Sequence, residues 1–264
     1  MAALPLPLPR GHRIERVAVV MPAHDEEEHL ERALRALQRA ADSLHTLRPG
    51  VDVGVTVVLD SCTDGSAAVV AGYAAADPRF NALEVSFRSA GASRAAGVRA
   101  SGIGVPRLRS PAQRWTQPPS AGRTWLANTD ADSRVPENWL VRQLEFAEAG
   151  ADAVLGSVEP DPEGMDPDLL RRWRERHPFD EDHPHIYGAN FGVRASAYLA
   201  AGGFARITSE EDRTLVHNLR SRAFTVTATD SARVMTSGRV HARAPHGFGT
   251  YLRSLAQLLP PPAG

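Results

Sequence analysis

Trp125-Leu126-Ala127-Asn128-Thr129-Asp130-Ala131-Asp132-Ser133 is an apolar run that ends in two carboxylates separated by one residue. In a strand, alternate side chains share a face, so Asp130 and Asp132 are expected to point the same way where the strand stops. Ligands of open α/β sheets sit beyond the carboxyl ends of the strands. Two hard oxygen donors at that place suit a divalent cation with a phosphate-bearing ligand. Taken alone, so short a motif more often describes a solvated, Asp-rich loop that caps the following helix. The segments on either side decide between the two readings.

Upstream, Val17-Ala18-Val19-Val20-Met21, closed by Pro22, has the β-branched, bounded character of a fully buried strand. From Asp25 to Leu44 the spacing of Leu30, Leu34, Leu37, Ala41 and Leu44 predicts an amphipathic helix, with Glu26, Glu27 and Glu28 placed to favour its N-terminal dipole. Val53–Leu59 reads as a second strand, followed by an Ala/Val-rich helix to about Ala76 with Thr63 or Asp64 as N-cap. Asn81–Phe87 reads as a third strand and Gly91–Ala100 as a short helix containing Arg94 and Arg99. Three strand-helix units in succession imply a parallel sheet with right-handed crossovers. No G-x-G-x-x-G follows the first strand, which argues against a dinucleotide fingerprint. Residues 102–123 are rich in Pro, Ser and Arg without an apolar period, the signature of a functional, mobile loop just before the Asp-x-Asp strand.

Composition narrows the function. The 264 residues carry a net charge of -1, without the basic surplus of a nucleic-acid binder. All 30 basic residues are arginine, so Schiff-base, P-loop and ammonium chemistries are excluded. The single Cys62 allows neither an internal disulfide nor a multi-cysteine zinc site, and it suits a reducing cytoplasm. Met1–Pro9 lacks the basic region of a signal peptide, and no apolar stretch approaches the ~20 residues of a membrane span, so a soluble, cytoplasmic protein is expected.

Downstream, Glu137–Ala149 has helical spacing and Asp152–Val158 resembles a strand. After a Pro- and acid-rich break comes a helix holding Arg171, Arg172, Trp173, Arg174 and Arg176, whose arginines read as a solvated face. Tyr187–Val193 has strand character, and Ser196–Ala201 that of a helix stopped by Gly202-Gly203. The next helix begins at Ser209-Glu210-Glu211-Asp212, with Ser209 as N-cap and Asp212 at the fourth place of a capping-box-like pattern. Phe224–Thr229 is the last expected strand, ahead of a short C-terminal helix.

Together these segments resemble a family 2 glycosyltransferase with the GT-A fold. The likeness runs over about residues 16–220, in the family's order: Val17–Glu27 resembles the first strand and nucleotide loop. Val58-Leu59-Asp60-Ser61-Cys62-Thr63-Asp64-Gly65-Ser66 resembles the Val-Asp-Asp-Gly-Ser-Thr-Asp-Gly-Thr pattern. Gly91–Ala100 is similar to the basic helix, and Asp130-Ala131-Asp132 to the metal motif. Gly188-Ala189-Asn190-Phe191, Gly202-Gly203-Phe204 and Glu211-Asp212 resemble the acceptor half. The ordered set is far more specific than any one of its members.

The resemblance implies an α/β fold with a mostly parallel central sheet flanked by helices on both faces. It also implies one domain over residues 1–264, with a nucleotide-sugar half (15–135) and an acceptor half (136–264). It implies transfer of one sugar, with inversion, from a nucleotide-diphosphate sugar, a UDP-sugar foremost, to an acceptor hydroxyl of unassigned identity. Pro22, Ala23, Asp25 and Glu26 would line the nucleotide pocket. Asp60 would accept the imide hydrogen of the base, and Arg94 would lie by the diphosphate. Asp130 and Asp132 would hold Mn²⁺ or Mg²⁺, with His241 or His246 as a further ligand, and Asp130 would share in donor binding. Asp212 would be the general base. Spacing does not choose among Glu210, Glu211 and Asp212, which fall in one helical turn, and Leu59 replaces the first of the family's paired aspartates. The Gln-x-x-Arg-Trp motif of processive synthases is absent. The alternatives are a GT-A-like domain that binds without turnover, a sugar nucleotidyltransferase and a haloacid-dehalogenase-type phosphatase. The nucleotidyltransferase lacks its Gly-rich, Lys-bearing loop here, and the phosphatase would want Asp-x-Asp near the first strand with a later Lys.

Overall fold

A computed structural model describes residues 13–104, 120–239 and 248–257. The elements run β1 (Arg16–Ala23), α1 (Glu27–Leu47), β2 (Asp52–Asp60), α2 (Ser66–Ala76), β3 (Phe80–Val85), α3 (Ala90–Ala100), β4 (Thr124–Asn128), β5 (Ser133–Arg134), α4 (Trp139–Glu148), β6 (Ala153–Pro160), α5 (Pro167–Arg176), β7 (Phe191–Arg194), α6 (Ala195–Ala200), α7 (Glu211–Ser221), β8 (Val226–Thr236) and α8 (Phe248–Ala256). One sheet has the order β3-β2-β1-β4-β7-β6-β8-β5. Strands β1 to β4 pair in parallel, as do β6 and β8, whereas β7 is antiparallel to both β4 and β6 and β5 is antiparallel to β8.

Alternation along the strands builds two cores. Val17, Val19 and Met21 of β1, Val55 and Val57 of β2 and Trp125 and Ala127 of β4 join the apolar faces of α1, α2 and α4 on one side. Ala18 and Val20, Val58 and Leu126 face the other side, with Ala95 and Val98 of α3 and the apolar faces of α6 and α7. A sheet buried on both faces explains why its strands read as continuous hydrophobic runs. Pro22 does not close β1. The β1–β4 ladder ends at the Val20–Asn128 pair, so Pro22 lies beyond it with β2 as its one strand neighbour.

Other expectations need correction. Gly65 takes the cap position of α2, while Asp64 accepts from the backbone N–H of Ser66 at 3.0 Å and of Glu27 at 2.9 Å, serving two helix starts. Helix α7 is preceded by Glu210, in a left-handed conformation (φ 64°) without a side-chain cap, so Ser209 is not its N-cap. Gly188–Asn190 forms a 3₁₀ turn, and the strand expected from Tyr187 starts only at Phe191. Asn190 is buried there. It donates to the carbonyls of Ser157 and Ala232 and accepts from Trp139 Nε1, so Asn190 serves the core, while Gly188 and Ala189 line the cavity described below. Of the loop expected over 102–123, residues 105–119 lie outside the described residues, as do His241 and His246. Among the described residues, no helix is long and apolar enough to cross a membrane.

Candidate active site

The carboxyl ends of β1, β2 and β4 open into a cavity of about 980 Å³. Its wall includes Pro22, Ala23, Glu26, Asp60, Arg94, Asp130, Asp132 and Asp212, so most of the residues singled out from the sequence meet in one place. Asp25 does not line it. Its carboxylate turns away to accept from the backbone N–H groups of Thr63 at 2.6 Å and Asp64 at 3.3 Å, which stitches the β1–α1 loop to the β2–α2 loop. Cys62 Sγ, donating to the Ala23 carbonyl at 3.4 Å, adds to the same seam. Asp25, Cys62 and Asp64 bring ligand atoms within 4.8 Å of one another. Burial holds the Cys62 thiol above its ordinary value, however, and Asp25 is committed to backbone amides.

Asp130 and Asp132 reach the cavity by a different route from the one expected. Strand β4 stops at Asn128, and the pair lies on a turn in which Ser133 N–H donates to the Asp130 carbonyl at 3.1 Å. Strand β5 then pairs Ser133 with Thr236 of β8, and Ser237 N–H donates to the Asp132 carbonyl at 3.1 Å. That clamp draws Arg239 inward. Its guanidinium donates to both oxygens of Glu26 at 2.9 and 2.7 Å and reaches Asp132 at 2.9 Å. The sequence reading missed Arg239, because its role depends on β8 extending to Thr236, well past Thr229.

Arg94 lies one turn into α3 and is 3% exposed. Its Nη2 donates to Asp130 at 2.5 Å and its Nε to Glu211 at 3.0 Å, so one guanidinium joins the Asp-x-Asp turn to the start of α7. Nη1 is buried and has no hydrogen-bond partner. A Cβ on Gly188 would come within 2.6 Å of Arg94 Nη2 and 3.4 Å of Asp212 Oδ2, so this glycine leaves room for both side chains. Gly91 similarly lets α3 press against the backbone of Ala205 and Ile207.

Electrostatics divide the carboxylates. Burial raises the proton affinity of Asp130 and Asp132 above the ordinary value, against the pull of Arg94 on the first and Arg239 on the second. Burial raises Glu211 and Asp212 likewise, against Arg94. Asp60 goes the other way. Burial alone would raise it, but hydrogen bonds from Arg88 N, Ser93 Oγ, Ser89 N and Phe87 N, at 2.7–3.0 Å, hold it below the ordinary value. With Ser61 Oγ also donating at 3.1 Å, five donors occupy a group with roughly four lone-pair sites, so a base imide finds no free acceptor on Asp60. Asp60 instead fixes residues 87–89 and the first turn of α3. Non-glycine residues with positive φ gather in the surrounding loops, at Asp25, Ser61, Arg88 and Glu210.

Two half-buried carboxylates of like charge are a chemistry that a divalent cation satisfies, and Asp130 and Asp132 both open onto the cavity. They fit a cation that takes its remaining ligands from phosphate and water. Among the described residues no histidine joins them.

No family model matches the sequence, and no curated protein does. Solved structures do match in three dimensions. A mannosyltransferase from Pyrobaculum calidifontis, in complex with GDP-Man and Mn²⁺, aligns over 95% of this chain and 64% of its own, at 16% identity and a TM-score of 0.60. GalNAc-T7 with UDP, GalNAc and Mn²⁺ aligns over 88% of this chain and 46% of its own, at 12% identity and 0.57. Residues 1–349 of TarS from S. aureus align over 84% of this chain and 60% of their own, at 13% identity and 0.56. The chain has the α/β architecture of GT-A-type glycosyltransferases and spans 46–64% of the length of these three structures.

Proposed function

We propose that the chain transfers a sugar from a nucleoside-diphosphate sugar to an acceptor hydroxyl, with inversion at the anomeric carbon. The observation that carries this is the buried Arg94 guanidinium, whose Nη1 has no partner in a cavity where Asp130, Asp132 and Asp212 converge. An unsatisfied buried donor costs about 1–3 kcal/mol, and a phosphate oxygen relieves that cost through a charge-assisted bond. Two structural neighbours carry a nucleotide or nucleotide sugar together with Mn²⁺, which supports the same ligand class here.

In this reading Pro22 and Ala23 flank the nucleotide, and Arg94 binds the diphosphate. Asp130 and Asp132 hold Mn²⁺ or Mg²⁺, which when bound neutralises the leaving diphosphate. The acceptor oxygen forms its bond to the anomeric carbon as the bond from that carbon to the phosphate oxygen breaks, and the diphosphate departs with the electron pair. Asp212 takes the acceptor proton. Its raised proton affinity makes it a better base than a solvated carboxylate, and attack opposite the leaving group inverts the centre. Glu211 holds Arg94 and is not the base, which removes one of the three acids that sequence spacing left together. Asp60 shapes the wall without reading the base, so uridine and guanosine donors stand as two arms of the test.

Melting the protein with UDP or GDP, with and without Mn²⁺ or Mg²⁺, should show a metal-dependent rise in stability for one of them, because a ligand that binds only the folded state raises it. Release of that nucleoside diphosphate from its sugar conjugates then tests turnover. Absence of any nucleotide- and metal-dependent shift would remove the transferase reading.

A further inference from the structure

The cavity has two unlike ends. One is the charged end of Asp130, Asp132, Arg94 and Arg239, and the other is walled by the rings of His177, His185, Tyr187, Phe248 and Tyr251. These rings lock one another. His177 stacks on Trp173 at 4.5 Å and 7°, His185 lies 4.7 Å from His177 and 5.8 Å from Tyr187, and Tyr251 meets His177 edge-on at 5.3 Å and 82°. Phe248 closes the group edge-on to Tyr187 at 6.4 Å. His177 Nδ1 is 2.8 Å from the Trp173 carbonyl, which only accepts, so the proton sits on Nδ1 and the neutral ring leaves Nε2 as an acceptor.

We infer that this ring-walled end is the acceptor subsite and that it takes a neutral sugar ring. This inference rests on the transferase reading and gives its acceptor a chemical class. A pyranose has apolar C–H faces that lie on aromatic rings and hydroxyls that pair with imidazole nitrogen and phenol oxygen, and this wall offers both. Burial lowers the proton affinity of His177 and His185, which favours the uncharged form of both rings. The cations that act on them are Arg176 on His177 and Arg213 on His185, the latter with Asp212 beside it on α7. A phosphorylated acceptor would give up its hydration for a wall made mostly of uncharged rings. A ring held here shares the cavity with Asp212, whose Oδ2 lies close to Gly188, the residue after Tyr187.

The test is saturation-transfer NMR on the whole chain with methyl glycosides, glucose 6-phosphate and p-nitrophenol as separate probes. A methyl glycoside should show transfer to its ring C–H protons. The signal should fall about tenfold in a His185→Ala/Tyr251→Ala double variant and persist in Asp130→Asn/Asp132→Asn. The milder His185→Gln and Tyr251→Leu single variants should each lower it severalfold, which keeps the test open if the double variant fails to fold. Three results would overturn the inference: stronger signals from glucose 6-phosphate or p-nitrophenol, no signal from any methyl glycoside, or a glycoside signal indifferent to all these ring substitutions. The nucleotide melting assay reports on the transferase reading separately, because it reads the charged end alone.

Discussion

Asp60 and Asp212 stand in the wall of one cavity and are held by opposite means. Asp60 is wrapped by backbone N–H and hydroxyl donors that favour its charged form over burial, and it has no acceptor capacity left. Asp212 accepts one backbone bond, from Arg213 at 2.7 Å, and burial makes it readier to take a proton. Asp130, Asp132 and Glu211 share its condition, each balanced by an arginine that a ligand can call upon. A carboxylate satisfied by the chain builds the loop. One balanced by a side chain is available for chemistry. Motif matching treats both as site residues, and their hydrogen-bond partners tell them apart.

The largest expected effect follows from the chemistry side of that division. Asp212→Asn keeps size and hydrogen bonding but takes no proton, so transfer should fall by roughly 10² to 10⁴ with nucleotide affinity nearly unchanged. Turnover near wild type would place Asp212 with Asp60 among the structural acids. Next, Asp130→Asn and Asp132→Asn should each weaken metal-assisted nucleoside-diphosphate binding by at least about tenfold, or about 1.4 kcal/mol, with the fold retained. Undiminished affinity in the double variant would take the metal away from this pair.

Asp60→Asn tests the structural side. It should cost about 1–3 kcal/mol of stability by weakening the bonds to Phe87, Arg88, Ser89 and Ser93, a fall of about 2–4 °C in Tm for each kcal/mol. The pH dependence has a defined sign. Asp60 has a lowered folded value, so its contribution is fully present above the ordinary aspartate value and is lost as pH falls through the folded one. The gap in Tm between wild type and Asp60→Asn should therefore be widest at neutral pH and close below about pH 4. A gap that widens in acid would contradict the assignment.

Much of the first half was legible because local signals decide it. Buried parallel strands are apolar throughout, α1 carries a clear apolar stripe, and the strand-helix order leaves few topologies. The second half is set by partners distant in sequence. Two-residue β5 has no pattern of its own and exists because β8 pairs with it, and the cap at Glu210 depends on backbone geometry that no residue type announces. In the site, type and order singled out aspartates and Arg94 that lie in one cavity wall. Asp25 lies outside that wall, since a carboxylate beside a motif reads the same whether it faces the cavity or the next loop. The ring wall left one trace, three histidines at 177, 183 and 185, but their grouping with Tyr251 requires α8 to dock beside α5.

The smallest effect is expected at Gly188, where space alone is at issue. Its φ is not positive, so alanine brings no backbone strain, and any consequence must come from the added methyl. That methyl would approach Arg94 Nη2 to 2.6 Å and Cζ to 3.1 Å, too close for the guanidinium to stay between Asp130 and Glu211. The end of an arginine side chain can shift, which limits the loss of stability. The shifted guanidinium no longer presents Nη1 in the same place, so nucleoside-diphosphate affinity should fall about fivefold, on the order of 1 kcal/mol. Calorimetric titration of Gly188→Ala with nucleotide and Mn²⁺, beside its melting temperature, separates the outcomes. A drop in Tm with unchanged affinity would make Arg94 a structural strut like Asp60, whereas loss of affinity at an unchanged Tm puts it on the ligand side of the division.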